Sequence, residues 1–158
     1  MAIERVYWDS VTFVHRIQQT PEHIDILRAI SDEAERGKLE IVTSTFTLCE
    51  VACLWLGSHA DDVQERMIRD FFENPYILLR QVDRRVAELS REIVRTLKIP
   101  GKDAVHVASA VATDCDELQT YDEKHLLRKT GLYGTPPLKI VKPNWPGGQA
   151  NLGLHPSA

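Results

Sequence analysis

The chain has only three cysteines in 158 residues, Cys49, Cys53 and Cys115. An odd number without a framework spacing excludes a disulfide-stapled scaffold and fits reduced thiols in a cytoplasmic protein. No apolar run approaches the ~20 residues that a membrane span needs. The N-terminus, Met1-Ala2-Ile3-Glu4-Arg5, lacks the pattern of a secretory leader and passes straight into an apolar segment. A basic excess is also missing. The 19 Lys and Arg against 23 Asp and Glu give a formal charge of −4 and a pI near 5.9. That balance argues against unaided binding to a polyanion, unless bound dications cancel acids locally. Internal repeats and low-complexity tracts are absent too.

What is present is a 43% hydrophobic content, enough for one domain with a core of its own. Residues 3–8 (IERVYW) are β-prone and end at Asp9-Ser10. Thr20-Pro21-Glu22 reads as a helix start, with Thr20 as cap and Pro21 in the first turn. Ile24, Leu27, Ile30 and Ala34 then repeat at helical spacing as far as Gly37. Residues 39–43 (LEIVT) form a second strand. Leu48, Val51, Ala52, Leu54 and Trp55 give the next helix its stripe, and Gly57-Ser58 ends it.

A helix over 60–72 is expected to turn Val63, Met67, Ile68, Phe71 and Phe72 inward. Residues 76–82 are a strand candidate. Asp83 caps a helix to Leu97 carrying Val86, Leu89, Ile93 and Val94 on its apolar side. Pro100-Gly101 breaks the chain, and a buried, small-residue-rich helix follows from Lys102-Asp103 to about Thr113. Residues 117–120 and 138–141 are short strands flanking a short helix over 123–129. After Pro143 the composition turns to Gly, Pro and Asn. The domain is therefore assigned to residues 1–142 and a loosely ordered tail to 143–158. Alternating strands and helices predict an α/β fold with a mostly parallel central sheet.

Cys49 and Cys53, four residues apart, share a helix face. With Leu48, Val51, Ala52 and Leu54 around them they read as small core residues, and no further Cys or His pair completes a zinc site.

Four acids stand out. Open α/β sheets bind ligands beyond the carboxyl ends of their strands. Asp9 follows the first strand, Asp122 comes just after residues 117–120, Asp103 opens the buried helix, and Glu50 sits within an apolar helical stretch. Each has a plainer explanation. Asp103 suits a helix N-terminus, Asp122 and Asp9 suit caps, and only Glu50 lacks an easy structural role. Together they offer the oxygen ligands that Mg²⁺ or Mn²⁺ prefers. Dications so held can activate water and stabilise a leaving oxygen during in-line attack at phosphorus. No Ser, His and Cys spacing suggests a nucleophilic triad.

In order, the segments VYWDS, FTLCEV, KDAVHVASAV and LQTYDEKHLL resemble the four acidic motifs of PIN-domain ribonucleases. By length, the VapC-type toxins of toxin–antitoxin pairs are the nearest comparison, over residues 3–141. The resemblance implies a PIN-like three-layer α/β/α fold and Mg²⁺- or Mn²⁺-dependent hydrolysis of RNA. It implies Asp9, Glu50, Asp103 and Asp122 as metal-binding and catalytic acids, supported by Ser10 and Thr120. Asp116 is a reserve acid, and Asp114 reads as a solvated loop acid. It further implies an RNA substrate, an antitoxin partner and a homodimer, with no membrane association. One departure is Val11, where the family often has Asn or Ser. Either Thr12 takes over that hydrogen bonding or the site is looser. His106 reads as a satisfied core residue and is left out of the catalytic set. Phe46, Trp55, Phe71 and Phe72 read as core, and Arg16, Lys102 and Lys124 as possible phosphate contacts. Two alternatives stay open: a PIN-fold binding or assembly module that does not cut, and a housekeeping nuclease without an antitoxin.

Overall fold

A computed structural model describes residues 2–53 and 59–148. Five strands, β1 (Glu4–Trp8), β2 (Leu39–Ser44), β3 (Ile77–Arg80), β4 (Glu117–Gln119) and β5 (Lys139–Val141), form one sheet in the order β3-β2-β1-β4-β5. Every neighbouring pair is parallel, so the connections must cross over and helices cover both faces. Those helices are α1 (Ser10–Gln18), α2 (Ile24–Glu35), α3 (Thr45–Cys53), α4 (Asp62–Phe72), α5 (Arg84–Leu97) and α6 (Gly101–Ala112). The fold is the expected three-layer α/β/α arrangement. No described helix is long and apolar enough to cross a membrane.

Side chains alternate across the strands and feed two cores. Val6, Trp8 and Ile41 point to a cluster shared with Phe13, Ile17, Leu27, Ile30 and Ile68. Tyr7, Val42, Leu118 and Ile140 point the other way, to Val86, Ile93, Val107 and Ala108. The small residues of α6 let it lie close to the sheet with Ala104, Val107, Ala108 and Ala110 fully buried.

The strand order places the site. From β1 the chain winds outward through β2 and β3, then returns to lay β4 on the other side of β1. The crevice beyond the carboxyl ends of β1 and β4 is thus a topological switch point, where connections leave in opposite directions. Asp9 follows β1 there, and Thr120 follows β4.

Several local expectations are corrected. α1 was not foreseen: SVTFVHRIQ is rich in β-branched residues with weak helix propensity. It forms because Asp9 caps it, accepting from Thr12 N, and because Phe13, Val14 and Ile17 bury its apolar side. α2 starts at Ile24 rather than at Pro21. The Thr20 hydroxyl is engaged by His15 Nδ1 at 2.9 Å, and its carbonyl accepts from His23 N and Ile24 N instead. Between β4 and β5 only Leu127–Lys129 is helical, as one 3₁₀ turn.

Cys49 and Cys53 are exposed, not core. Thr47 and Val51 set the buried side of α3, and residues two positions away lie roughly 200° round a helix. In α4, capped by Asp61, Val63 and Met67 are exposed. Its inward stripe is narrower than expected: Ile68 is buried, with Phe71 and Phe72 partly buried beside it. Leu54, Trp55 and Gly57-Ser58 lie outside the described residues, as does 149–158 of the assigned tail. Pro143 at the start of that tail is buried, and Asn144 Nδ2 donates to Lys142 O at 3.3 Å.

Phe13 joins the site to the core: it has no exposed surface and meets Trp8, Phe71 and Phe72 at centroid distances of 5.3, 6.0 and 4.8 Å. Phe13→Ala should cost about 3–5 kcal/mol, read as a lowered urea midpoint with little change in slope.

Candidate metal centre

Asp9, Glu50, Asp103 and Asp122 line one cleft of about 270 Å³, together with Ser10, Val11, Lys102, His106 and Tyr121. Four acids from four separate segments of the chain thus meet at the switch point. Each is held differently.

Asp9 is almost fully buried, at 4% exposure. Its Oδ1 accepts from Thr12 N at 3.1 Å and Thr12 Oγ1 at 2.7 Å, and its Oδ2 accepts from Thr120 Oγ1. The bland cap and the functional acid are the same residue. Thr12 supplies a hydroxyl beside Val11, which itself lines the cleft. Thr120 Oγ1 also accepts from Asp122 N at 3.0 Å, tying the ends of β1 and β4 together.

Glu50 reaches across from α3. Its Oε2 accepts from Ser10 Oγ and pairs with His106 Nε2 at 2.8 Å. The other ring nitrogen, Nδ1, lies 2.8 Å from the Tyr7 hydroxyl, which in turn accepts from Ser44 N at 3.1 Å. This pattern assigns the tautomer: Tyr7 donates to Nδ1, and Nε2–H donates to Glu50. Burial alone would raise the Glu50 carboxyl. Hydrogen bonds from His106 and Ser10 and the Lys102 charge outweigh it and hold the group below the ordinary carboxylate range. His106 is buried but not idle, since it positions Glu50.

Asp103 is the opposite case. It is 6% exposed, and its Oδ2 is buried with no hydrogen-bond partner among the described residues. Burial, and then the charge of Asp122, raise its carboxyl above the ordinary value. Asp122 Oδ1 accepts from His125 N at 2.9 Å. The imidazole of His125, a residue the sequence did not flag, faces Asp103 and Asp122 from 3.4 and 3.5 Å. The only available signal was its position three residues after Asp122.

An orphaned, buried carboxylate oxygen in a cleft of carboxylates is costly as it stands. It fits a hard dication with oxygen ligands, which Asp9, Glu50, Asp103 and Asp122 would hold.

Other expected residues lie elsewhere. Asp116 is at the opposite end of the sheet, where its Oδ2 accepts from Arg5 N at 2.8 Å and its own N–H donates to Arg5 O at 2.8 Å. It precedes β4 whereas the site follows that strand, so it supports β1–β4 pairing and not the cleft. Asp114 adopts a positive φ of 52° in the turn just before it. Arg16 is turned into helix packing, with Nε donating to Ser31 Oγ at 3.0 Å and its guanidinium 5.1 Å from the Phe71 ring centroid. Lys102 is at the cleft, and Lys124 is exposed on the loop after β4. Beside the acids, Tyr121 stacks on His23 at 4.0 Å, with His15 edge-on to both rings. Burial and the Asp9 charge push the Tyr121 hydroxyl up to about 12.

A PIN domain family model matches residues 6–131. The chain belongs to the PIN domain family. That is a family of nucleases. Solved structures of similar fold include a toxin–antitoxin complex from Klebsiella pneumoniae, at 19% identity and a TM-score of 0.60, covering 88% of this chain and 98% of that one. VapBC2 from Rickettsia felis, bound to a promoter DNA fragment, gives 15% identity and a TM-score of 0.64, with 87% and 97% covered. VapC20 from Mycobacterium tuberculosis, a toxin that cleaves the sarcin–ricin loop, gives 12% and 0.56, with 76% and 92% covered. Comparison by sequence with curated proteins gives no match.

The acids of this PIN domain should respond differently to neutralisation in metal-free buffer. The raised Asp103 carboxyl favours folding fully below the unfolded carboxylate pKa, and that contribution is lost as pH rises through the folded value. Asp103→Asn in EDTA at pH 7 should therefore melt higher, by about 2–4 °C for roughly 1 kcal/mol, with the gain vanishing in acid. Asp9→Asn replaces an acceptor of Thr120 by a donor and should melt lower by a similar amount. Calorimetry of both variants across pH checks this. Equal shifts of one sign would contradict the hydrogen-bond assignment.

Proposed function

We propose that this PIN domain is a metal-dependent endoribonuclease, the toxin of a toxin–antitoxin pair, with Asp9, Glu50, Asp103 and Asp122 as its metal-binding and catalytic acids. The observation that carries the reading is the gathering of these four carboxylates in one cleft, with the Asp103 Oδ2 atom buried and without a hydrogen-bond partner among the described residues.

Mg²⁺ or Mn²⁺ bound there would supply a Lewis acid for the phosphoryl oxygens and a water of lowered pKa. The chain's own groups do the rest. Thr12 and Thr120 fix both oxygens of Asp9, so its orientation is set before substrate arrives. Ser10 and His106 fix Glu50 and keep it ionised at neutral pH, ready to ligate or to accept a proton. Lys102, at the mouth of the cleft, offers a cation to a phosphate. Hydrolysis of the P–O3′ bond by water would leave 5′-phosphate and 3′-hydroxyl ends, with the 3′ oxygen taking up the proton that the water gives up.

RNA as substrate is supported by the stacked Tyr121 and His23 rings beside the acids, since an unpaired base can lie against such a platform. The toxin assignment is supported by likeness in fold to VapC20 and to the Klebsiella and Rickettsia complexes. In this reading an antitoxin occupies the acid cleft with a basic side chain. A homodimer would use α3 and α4, which expose Leu48, Val63 and Met67.

Purified chain should cut single-stranded RNA with Mn²⁺ or Mg²⁺ and stop with EDTA. Asp9→Asn and Asp103→Asn should each lose on the order of 100-fold or more in rate while remaining folded. Parental cutting by both variants would overturn the site. No cutting by the parent with either ion would favour a non-catalytic PIN module. Tyr121→Ala should raise KM roughly 5- to 150-fold, the worth of one stacked base, while Tyr121→Phe keeps the parental value. Suppression of cutting by the product of an adjacent short reading frame would separate a toxin from a housekeeping nuclease.

A further inference from the structure

His125 Nδ1, Asp103 Oδ2 and Asp122 Oδ2 converge. The imidazole nitrogen is 3.4 and 3.5 Å from the two oxygens, and ligand atoms from all three residues lie within 4.8 Å of one another. A charge-assisted hydrogen bond would be shorter, about 2.7–2.9 Å. Neighbouring ligands around one dication, each about 2.0–2.2 Å from it, stand roughly 3 Å or slightly more apart.

One of the remaining carboxylate oxygens is already used. Asp122 Oδ1 accepts from His125 N at 2.9 Å, which leaves Oδ2 to face the ring. Asp103 Oδ2 is buried with no hydrogen-bond partner among the described residues. The turn that presents the ring is firm, because its next residue, Leu126, is 1% exposed and packs in the core beneath α6.

We infer that His125 is a nitrogen ligand alongside Asp103 and Asp122, so that the site takes a first-row transition dication, with Mn²⁺ as probe, in preference to Mg²⁺. Imidazole is a common ligand of first-row transition ions, with Mn²⁺ the weakest binder of that series, whereas Mg²⁺ selects oxygen and keeps its waters. The inference rests on the metal-nuclease reading but concerns which ion the chain selects. His125→Gln keeps the backbone N–H bond that orients Asp122. At a site one-third exposed it should leave the fold intact, as circular dichroism can verify.

The test is binding to the full chain without RNA. Free Mn²⁺ is titrated by electron paramagnetic resonance, with Mg²⁺ as competitor, and pulsed spectra report nitrogen bound to Mn²⁺. The parent should bind Mn²⁺ on the order of tenfold or more tighter than Mg²⁺ and show an imidazole nitrogen signal. His125→Gln should lose about tenfold in Mn²⁺ affinity, change less than about threefold for Mg²⁺, and lose the signal. His106→Gln should keep it. Bound Mn²⁺ without that signal, a preference retained in His125→Gln, or a signal that follows His106 instead would overturn this inference and leave the nuclease reading intact. A parent that binds neither ion at millimolar concentration would end both.

Discussion

Confining several like charges in one crevice is the constraint on which the rest of this protein depends. Carboxylates brought together at the ends of β1 and β4 repel each other and lose hydration. The structure offsets this group by group. Asp9 receives three hydrogen bonds, from Thr12 and Thr120. Glu50 receives Ser10 and His106. Asp122 receives a backbone N–H. Of the four acids, Asp103 alone keeps a buried oxygen that accepts nothing from the described residues. The unrelieved electrostatic cost is concentrated at that point, and there a cation has most to gain.

The fold makes the constraint tolerable by sharing it across both core layers. Ser44 N, Tyr7 Oη, His106 and Glu50 form one chain of donors and acceptors running from β2 through β1 and α6 to α3. A buried polar chain of this kind stabilises only when every member is satisfied, and these members are. On the opposite face, Phe13 locks α1 against Trp8 and the phenylalanines of α4, which fixes the helix that begins at Asp9 and Ser10. Site rigidity and core packing are therefore the same property seen from two sides.

Much of this was legible in advance because it is written in local patterns. Strong amphipathic periodicity and the Asp83 cap mark α5, small apolar residues mark α6, and each strand ends where polar residues begin. The four acids could be picked out because a carboxylate beside apolar segments is unusual on its own terms. What failed was whatever depends on a face chosen by a distant neighbour. Cys49, Cys53, Val63 and Met67 are apolar at helical spacing, yet they lie outward because Thr47, Val51 and Ile68 take the inward positions. Helix α1 failed for the same reason, since Phe13 and Ile17 reward a conformation that their β-branched neighbours disfavour.

The amino-acid sequence by itself determined the alternation of strand and helix, the parallel sheet that follows from it, and the identity of four acids, three near element ends and Glu50 within an apolar helical stretch. These are properties of composition and spacing within a few residues. Only the tertiary structure decided that Asp116 ties β4 to β1 through Arg5, that His106 serves Glu50, and that His125 faces Asp103 and Asp122. Those outcomes turn on strand order and on which side of β1 the returning chain lies, and no local stretch of sequence carries that information.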